Sequence, residues 1–230
     1  MTPCPRLRSL AAEAIGTFTL VFAGCGAIMV DAKTHQLGHV GVAITFGLVI
    51  MFGIYAVGHI SGAHFNPGVT FAFALSRHFP WRRALGYWGA QLAGALAAAA
   101  ILRASLGNVA NVGATLPSGS QGQSFLWELI LTFFLMFVIM AVATDTRAVG
   151  EAAALAIGGT VLFDAMFGGP ISGASMNPAR SAGPALVSGN LHALWLYIVA
   201  PLCGASLAAL TYQFVRGEPT GEQATPSVPR

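Results

Sequence analysis

Two residue pairs, Asn66-Pro67 and Asn177-Pro178, carry the most telling chemistry in this 230-residue chain. Asn is a strong helix N-cap, and Pro at the first helical position gives up no hydrogen bond. Each pair therefore predicts a helix start with a side-chain amide that has donors to spare. Glu13, Glu128, Asp164 and Arg180 are the other polar groups set within apolar sequence. Charges in such surroundings are costly unless paired, so each is a candidate functional residue. None belongs to a catalytic set. No His, Asp and Glu stand at metal-ligand spacing, and no Ser or Cys nucleophile has an evident base. Cys4, Cys25 and Cys203 are too few and too scattered for a disulfide framework or a zinc motif. Nothing in these residue types and spacings points to bond making or to a cofactor.

The elements that hold these residues are apolar spans. Only 8% of the residues are charged, against about 25% in ordinary globular proteins. Fifty-five per cent are hydrophobic, and the mean hydropathy is +0.70. A water-soluble domain and a disordered chain are both excluded, and a net charge of +3, widely dispersed, argues against nucleic acid. Six stretches have the roughly 20 residues a membrane helix needs: 9–30, 39–58, 84–103, 125–144, 151–169 and 192–214. Glu13 and the length of the first exclude a cleaved signal peptide. Segments 66–76 and 177–188 follow the Asn-Pro pairs and are too short to span. The chain is read as a cytoplasmic N-terminus (1–8), one domain (9–216) and a disordered cytoplasmic tail (217–230), with a polar loop at 104–124.

Two landmarks recur in order. Glu13–Phe22 and Glu128–Phe137 both fit E-x-I-x-T-F-x-L-x-F, and 60–67 and 171–178 both fit I-S-G-A-x-x-N-P. Glu13 to Glu128 is 115 residues and Asn66 to Asn177 is 111, so both landmarks report one duplication, with units of about 9–103 and 125–216. Three spans per unit make the second unit enter from the opposite side, an inverted repeat with its site at the repeat interface. The two short helices then meet N-terminus to N-terminus near the midplane, where their dipoles place partial positive charge that repels cations. Threading six spans puts Arg6, Arg8, Arg77, Arg82, Arg83, Arg147, Arg216 and Arg230 on one side and Lys33, Arg103 and Arg180 on the other. By the positive-inside rule both termini are cytoplasmic.

His64–Thr70 and Ser175–Ser181 resemble the paired Asn-Pro-Ala signatures of the aquaporin (major intrinsic protein) family, and the likeness covers about residues 9–214. The runs Ala43–Leu48, Gly58–Pro67 and Gly169–Pro178 resemble its nodulin-26-like, aquaglyceroporin-type branch and bacterial relatives. The resemblance implies an all-α membrane fold of six transmembrane helices plus two re-entrant half-helices. It also implies a homotetramer in membrane lipid, in the plasma (inner) membrane, with each protomer conducting separately. Asn66, Pro67, Gly68, Asn177, Pro178 and Ala179 match the signatures, and Gly68 departs from the usual Ala. The family's four-position filter falls on Phe46, Ala165, Ala174 and Arg180. Gly62, Ala63, His64, Gly173 and Ser175 are read as pore-lining or loop residues, and Glu13 and Glu128 as acids bracing the two loops.

Small side chains at 165 and 174 predict a wider, less polar opening than a strict water pore. The function read from this is a passive channel for small neutral solutes: water, glycerol-like polyols and neutral metalloid hydroxides such as arsenite or boric acid. Protons and ions are excluded. The rivals are a strictly water-selective pore and, remotely, a proton-coupled transporter using Glu13, Asp164 or Glu128. Asp164 is expected to point sideways and accept hydrogen bonds from loop backbone. His59 is read as a packed residue as readily as a pore one, and His35, His39, His78 and His192 carry no assigned role.

Overall fold

The computed structural model describes residues 4–145 and 152–217. Arg147, Arg230 and most of the expected tail lie outside the described residues, as do residues 1–3 of the expected N-terminal segment. Six long apolar helices are present: α1 (Pro5–Thr34), α2 (Gly38–Ser61), α4 (Trp81–Leu106), α6 (Gln121–Thr144), α7 (Ala153–Ser172) and α9 (Leu196–Val215). They extend up to four residues beyond most of the expected limits, because apolar periodicity stops where the helix leaves hydrocarbon but the backbone ladder continues. α9 instead begins four residues late, at Leu196, after a run of turns.

The short helices are α3 (Pro67–Leu75) and α8 (Pro178–Ser188), each with the expected Asn as its cap. Asn66 Oδ1 accepts from Gly68 N at 2.8 Å; Asn177 Oδ1 accepts from Ala179 N at 3.0 Å and Arg180 N at 3.2 Å. The loop between the halves is not featureless. Residues Ala110–Gly113 (α5) form a tight turn with φ of +46° to +70°, which buries Val112 and lays Gly113 against Cys25.

Glycine sets how closely the long helices approach. A Cβ on Gly94 of α4 would lie 2.2 Å from the Ala14 carbonyl oxygen of α1, and one on Gly204 of α9 would lie 2.2 Å from that of Leu129 in α6. The units join where α2 crosses α7: a Cβ added to Gly47 would lie 2.8 Å from the Gly158 carbonyl oxygen, and one added to Gly158 would lie 2.7 Å from that of Gly47. A methyl at any of these positions would drive the backbones apart. The inverted repeat is thus carried by backbone contact, and the two re-entrant loops are delivered to its centre.

Candidate functional site

Each re-entrant loop holds non-glycine residues in left-handed backbone: Ala63 and Phe65 (φ +49°, +50°) in one, Ala174 and Met176 (φ +41°, +53°) in the other. Such residues cost on the order of 1–2 kcal/mol each and persist only where surroundings dictate them. Here buried carboxylates do so. Glu13 accepts from Ser61 Oγ (2.7 Å), His64 N (2.9 Å), Phe65 N (2.8 Å) and Gln91 Nε2 (2.8 Å). Glu128 accepts from Ser172 Oγ, Ser175 N and Met176 N, each at 2.8 Å. Ser61 and Ser172 turn back to take the next free amides, Ala63 N and Ala174 N. Tyr87 and Tyr197 donate to the carbonyls of Ser61 and Ser172 at 2.7 and 2.6 Å, closing the ends of α2 and α7.

The two asparagines cross-link the loops. Asn66 Nδ2 donates to the Met176 carbonyl at 2.7 Å, and Asn177 Nδ2 donates to that of Phe65 at 2.9 Å. One N–H of each amide is spent on this tie, and the other has no hydrogen-bond partner among the described residues. The carbonyls of residues 62–64 and 173–175 accept no hydrogen bond among the described residues. They supply acceptors next to those donors.

A cavity of about 230 Å3 runs past both asparagines. Its lining includes all four filter positions, along with Gly62, Ala63, His64 and Ser175, against an apolar wall of Leu20, Ile50, Leu135, Ile139 and Val161. Gly173 is not on it; this residue caps α7 and packs against Thr115. Glu13 and Glu128 also stand back from it, behind the loops. His64 does line it, and its Nδ1 lies 3.0 Å from Thr70 Oγ1. His59, by contrast, is exposed on α2.

At the Arg180 end, the guanidinium is 1% exposed, donates from Nη1 to the Gly113 carbonyl at 2.9 Å, and stands 5.1 Å over the Phe46 ring. Its Nε has no partner among the described residues. Gly24 of α1 makes the room Phe46 occupies, since a Cβ there would lie 2.1 Å from the ring. Where Ala is usual, Gly68 has little room: an added Cβ would sit 3.2 Å from Asn66 Oδ1, a close contact that needs the amide to shift by a few tenths of an ångström.

Asp164 departs from expectation. It is fully buried, yet neither carboxyl oxygen has a hydrogen-bond partner among the described residues, so it accepts nothing from loop backbone. The loop amides of Ser175 and Met176 are held by Glu128 instead. Gln91, Tyr87, Tyr197 and Gly113 were missed from sequence. The tyrosines had a signal: Tyr87–Gly94 and Tyr197–Gly204 both fit Y-x-x-A-x-L-x-G, a third ordered landmark of the duplication.

The comparisons with known proteins agree with this geometry. The family described as Major intrinsic protein matches residues 1–212. Aquaporin NIP1-1 of Oryza sativa subsp. japonica is 52% identical over 214 residues, covering 92% of this chain and 75% of that protein. Nodulin-26 of Glycine max is 50% identical over 214 residues, covering 92% of this chain and 79% of that protein. Among solved structures, the aquaglyceroporin from Plasmodium falciparum superposes with a TM-score of 0.81 at 26% identity, covering 90% of this chain and 95% of that one.

Proposed function

Because the chain belongs to the major intrinsic protein family, whose members are channels and not enzymes, we propose that it passes water and small neutral polyhydroxylated solutes down their gradients. The solutes we have in view are glycerol-like polyols and neutral metalloid hydroxides such as arsenite or boric acid. The observation that carries the reading is the ring around one end of the cavity, where Phe46, Ala165 and Ala174 face a single buried Arg180. Two methyl groups leave that ring wide, and the aromatic face opposite a guanidinium suits flat neutral solutes with several hydroxyls. A charged solute would lose its hydration there without replacement.

The asparagine donors and the loop carbonyls beyond the ring give each hydroxyl a partner in passage. Arg180 and the two half-helix N-termini exclude cations and protons. Every oxygen of Glu13 and Glu128 is occupied by a donor, which favours bracing over proton coupling. The site residues act within one domain (9–216), in a homotetramer in the plasma membrane, with both termini cytoplasmic.

The test is a stopped-flow comparison of water, glycerol, urea, boric acid and arsenite on proteoliposomes, with the Ala165→His/Ala174→Thr variant alongside. Glycerol and metalloid permeability in the variant should fall about tenfold, as for steric exclusion in a shaped pocket, while water flux falls much less. An unmodified protein that passes water and none of the larger solutes would leave the strictly water-selective pore as the better reading. Solute accumulated against its gradient under an imposed proton gradient would instead establish the coupled transporter.

A further inference from the structure

The last turn of α7 has a gap in its backbone ladder, and a residue from another helix fills it. Pro170 lies inside α7 and has no N–H, so the Met166 carbonyl four residues earlier loses its intrahelical donor. His39, the second residue of α2, places Nε2 at 2.7 Å from that carbonyl oxygen. A carbonyl only accepts, so the proton is on Nε2. Gly169 makes room for the ring: a Cβ there would lie 2.6 Å from His39 Cε1. The repeat provides an internal control. The position equivalent to Pro170 in the first unit is His59, which keeps its N–H, and α2 needs no such substitute.

We infer that His39 is a positioning residue for selectivity, holding α7 through Met166 and so setting the place of Ala165, the adjacent residue, in the ring. This rests on the channel reading and on Ala165 being part of the filter. α2 and α7 are already in backbone contact at Gly47 and Gly158. The His39–Met166 bond adds a second tie nearer the Arg180 end, beside the widest wall of the ring. Beyond Pro170, Ser118 holds the Ile171 carbonyl and Tyr197 that of Ser172; before it, the Met166 carbonyl has only His39, and without that bond the Ala165 wall recedes.

The experiment measures the glycerol-to-water permeability ratio in proteoliposomes at matched protein content. His39→Ala should raise the ratio by about fivefold, the equilibrium worth of one ordinary hydrogen bond. Gly169→Ala should do the same by displacing the ring, although Ala is the better helix former. His39→Gln, which keeps a donor, should stay near the unmodified value. Pro170→Ala restores the intrahelical N–H, so in that background His39→Ala should leave the ratio unchanged. A purely structural loss would not be rescued in this way.

The inference is overturned if His39→Ala leaves the ratio as it was, or if Pro170→Ala fails to rescue it. Where His39→Ala is not recovered from membranes, Gly169→Ala and the His39→Ala/Pro170→Ala pair decide by the same criteria. Ala165→His in the same assay separates the two levels. If it lowers the ratio while the His39 variants do nothing, only this inference falls. If it too does nothing, the filter reading falls and takes this inference with it.

Discussion

The ring at the Arg180 end has a counterpart at the other end of the cavity. Carried through the duplication, Phe46, Ala165, Ala174 and Arg180 correspond to Ile157, Ile54, Ala63 and Val69, and those four also line the cavity. The backbones are closely alike: Gly62 and Gly173 share a φ of +89°, and the residues after them are left-handed in both loops. The side chains are not. One ring has a charge, an aromatic face and two methyl groups; the other is aliphatic throughout. Inverted symmetry of the main chain delivers two equivalent rings, and three differences between them, Phe46 for Ile157, Ala165 for Ile54 and Arg180 for Val69, set their chemistry apart.

The same divergence under a shared backbone recurs behind the loops. Phe65 and Met176 are equivalent, and both are buried. Around Phe65 stand Gly16 and Gly53, whose added Cβ atoms would lie 1.9 and 2.9 Å from its ring; the equivalent positions in the second unit hold Leu131 and Asp164. A large loop residue with small neighbours in one unit is exchanged for a slimmer one with larger neighbours in the other. Close packing demands such compensation, because neither voids nor overlaps are tolerated in a dense interior. Asp164 therefore occupies the place of a glycine, and neither of its carboxyl oxygens has a hydrogen-bond partner among the described residues.

The largest expected effect comes from making the rings alike. Arg180→Val copies Val69 into the filter. A unit charge about 5 Å from the path, at an effective dielectric constant near 20, is worth about 3 kcal/mol, so proton or cation leak should rise by about a hundredfold. Neutral-solute flux should persist. A pH-sensitive dye in vesicles at an imposed potential reads the leak, and an unchanged leak would show that the difference between the rings is not electrostatic.

Breaking the volume exchange should cost less. Gly16→Ala forces a methyl into the Phe65 ring and should destabilise the detergent-solubilised protein by about 2 kcal/mol in thermal unfolding. Phe65→Met, which copies the second unit, should recover most of that loss in the double variant. No recovery would mean that the two packings are not interchangeable.

The smallest effect is expected at Asp164. Asp164→Asn removes an ionisable group that no donor serves and should shift stability by under about 1 kcal/mol, in the favourable direction. A clear loss of thermal stability or of solute flux would show that the carboxyl is in use after all.

Much of this was open to reading in the sequence, because the signals were local or repeated. Apolar runs fixed the six spans, Asn before Pro fixed the two half-helix caps, and two ordered repeats fixed the inversion. Lone acids inside spans pointed to Glu13, Glu128 and Asp164 alike, and only the two glutamates were found with donors. The pairing of each Asn with the carbonyl of the other loop was decided only in three dimensions, as it joins residues 110 and 112 positions apart. So was the isolation of Asp164, whose two carboxyl oxygens find no donor among the described residues. His39 had no signal in its own segment. Its use follows from a proline 131 residues away in sequence and from two helices close enough for an imidazole to reach a carbonyl that has no donor of its own. Sequence pattern determines which helices form and which of their groups must find partners; the close approach of backbones at Gly47 and Gly158 determines who those partners are.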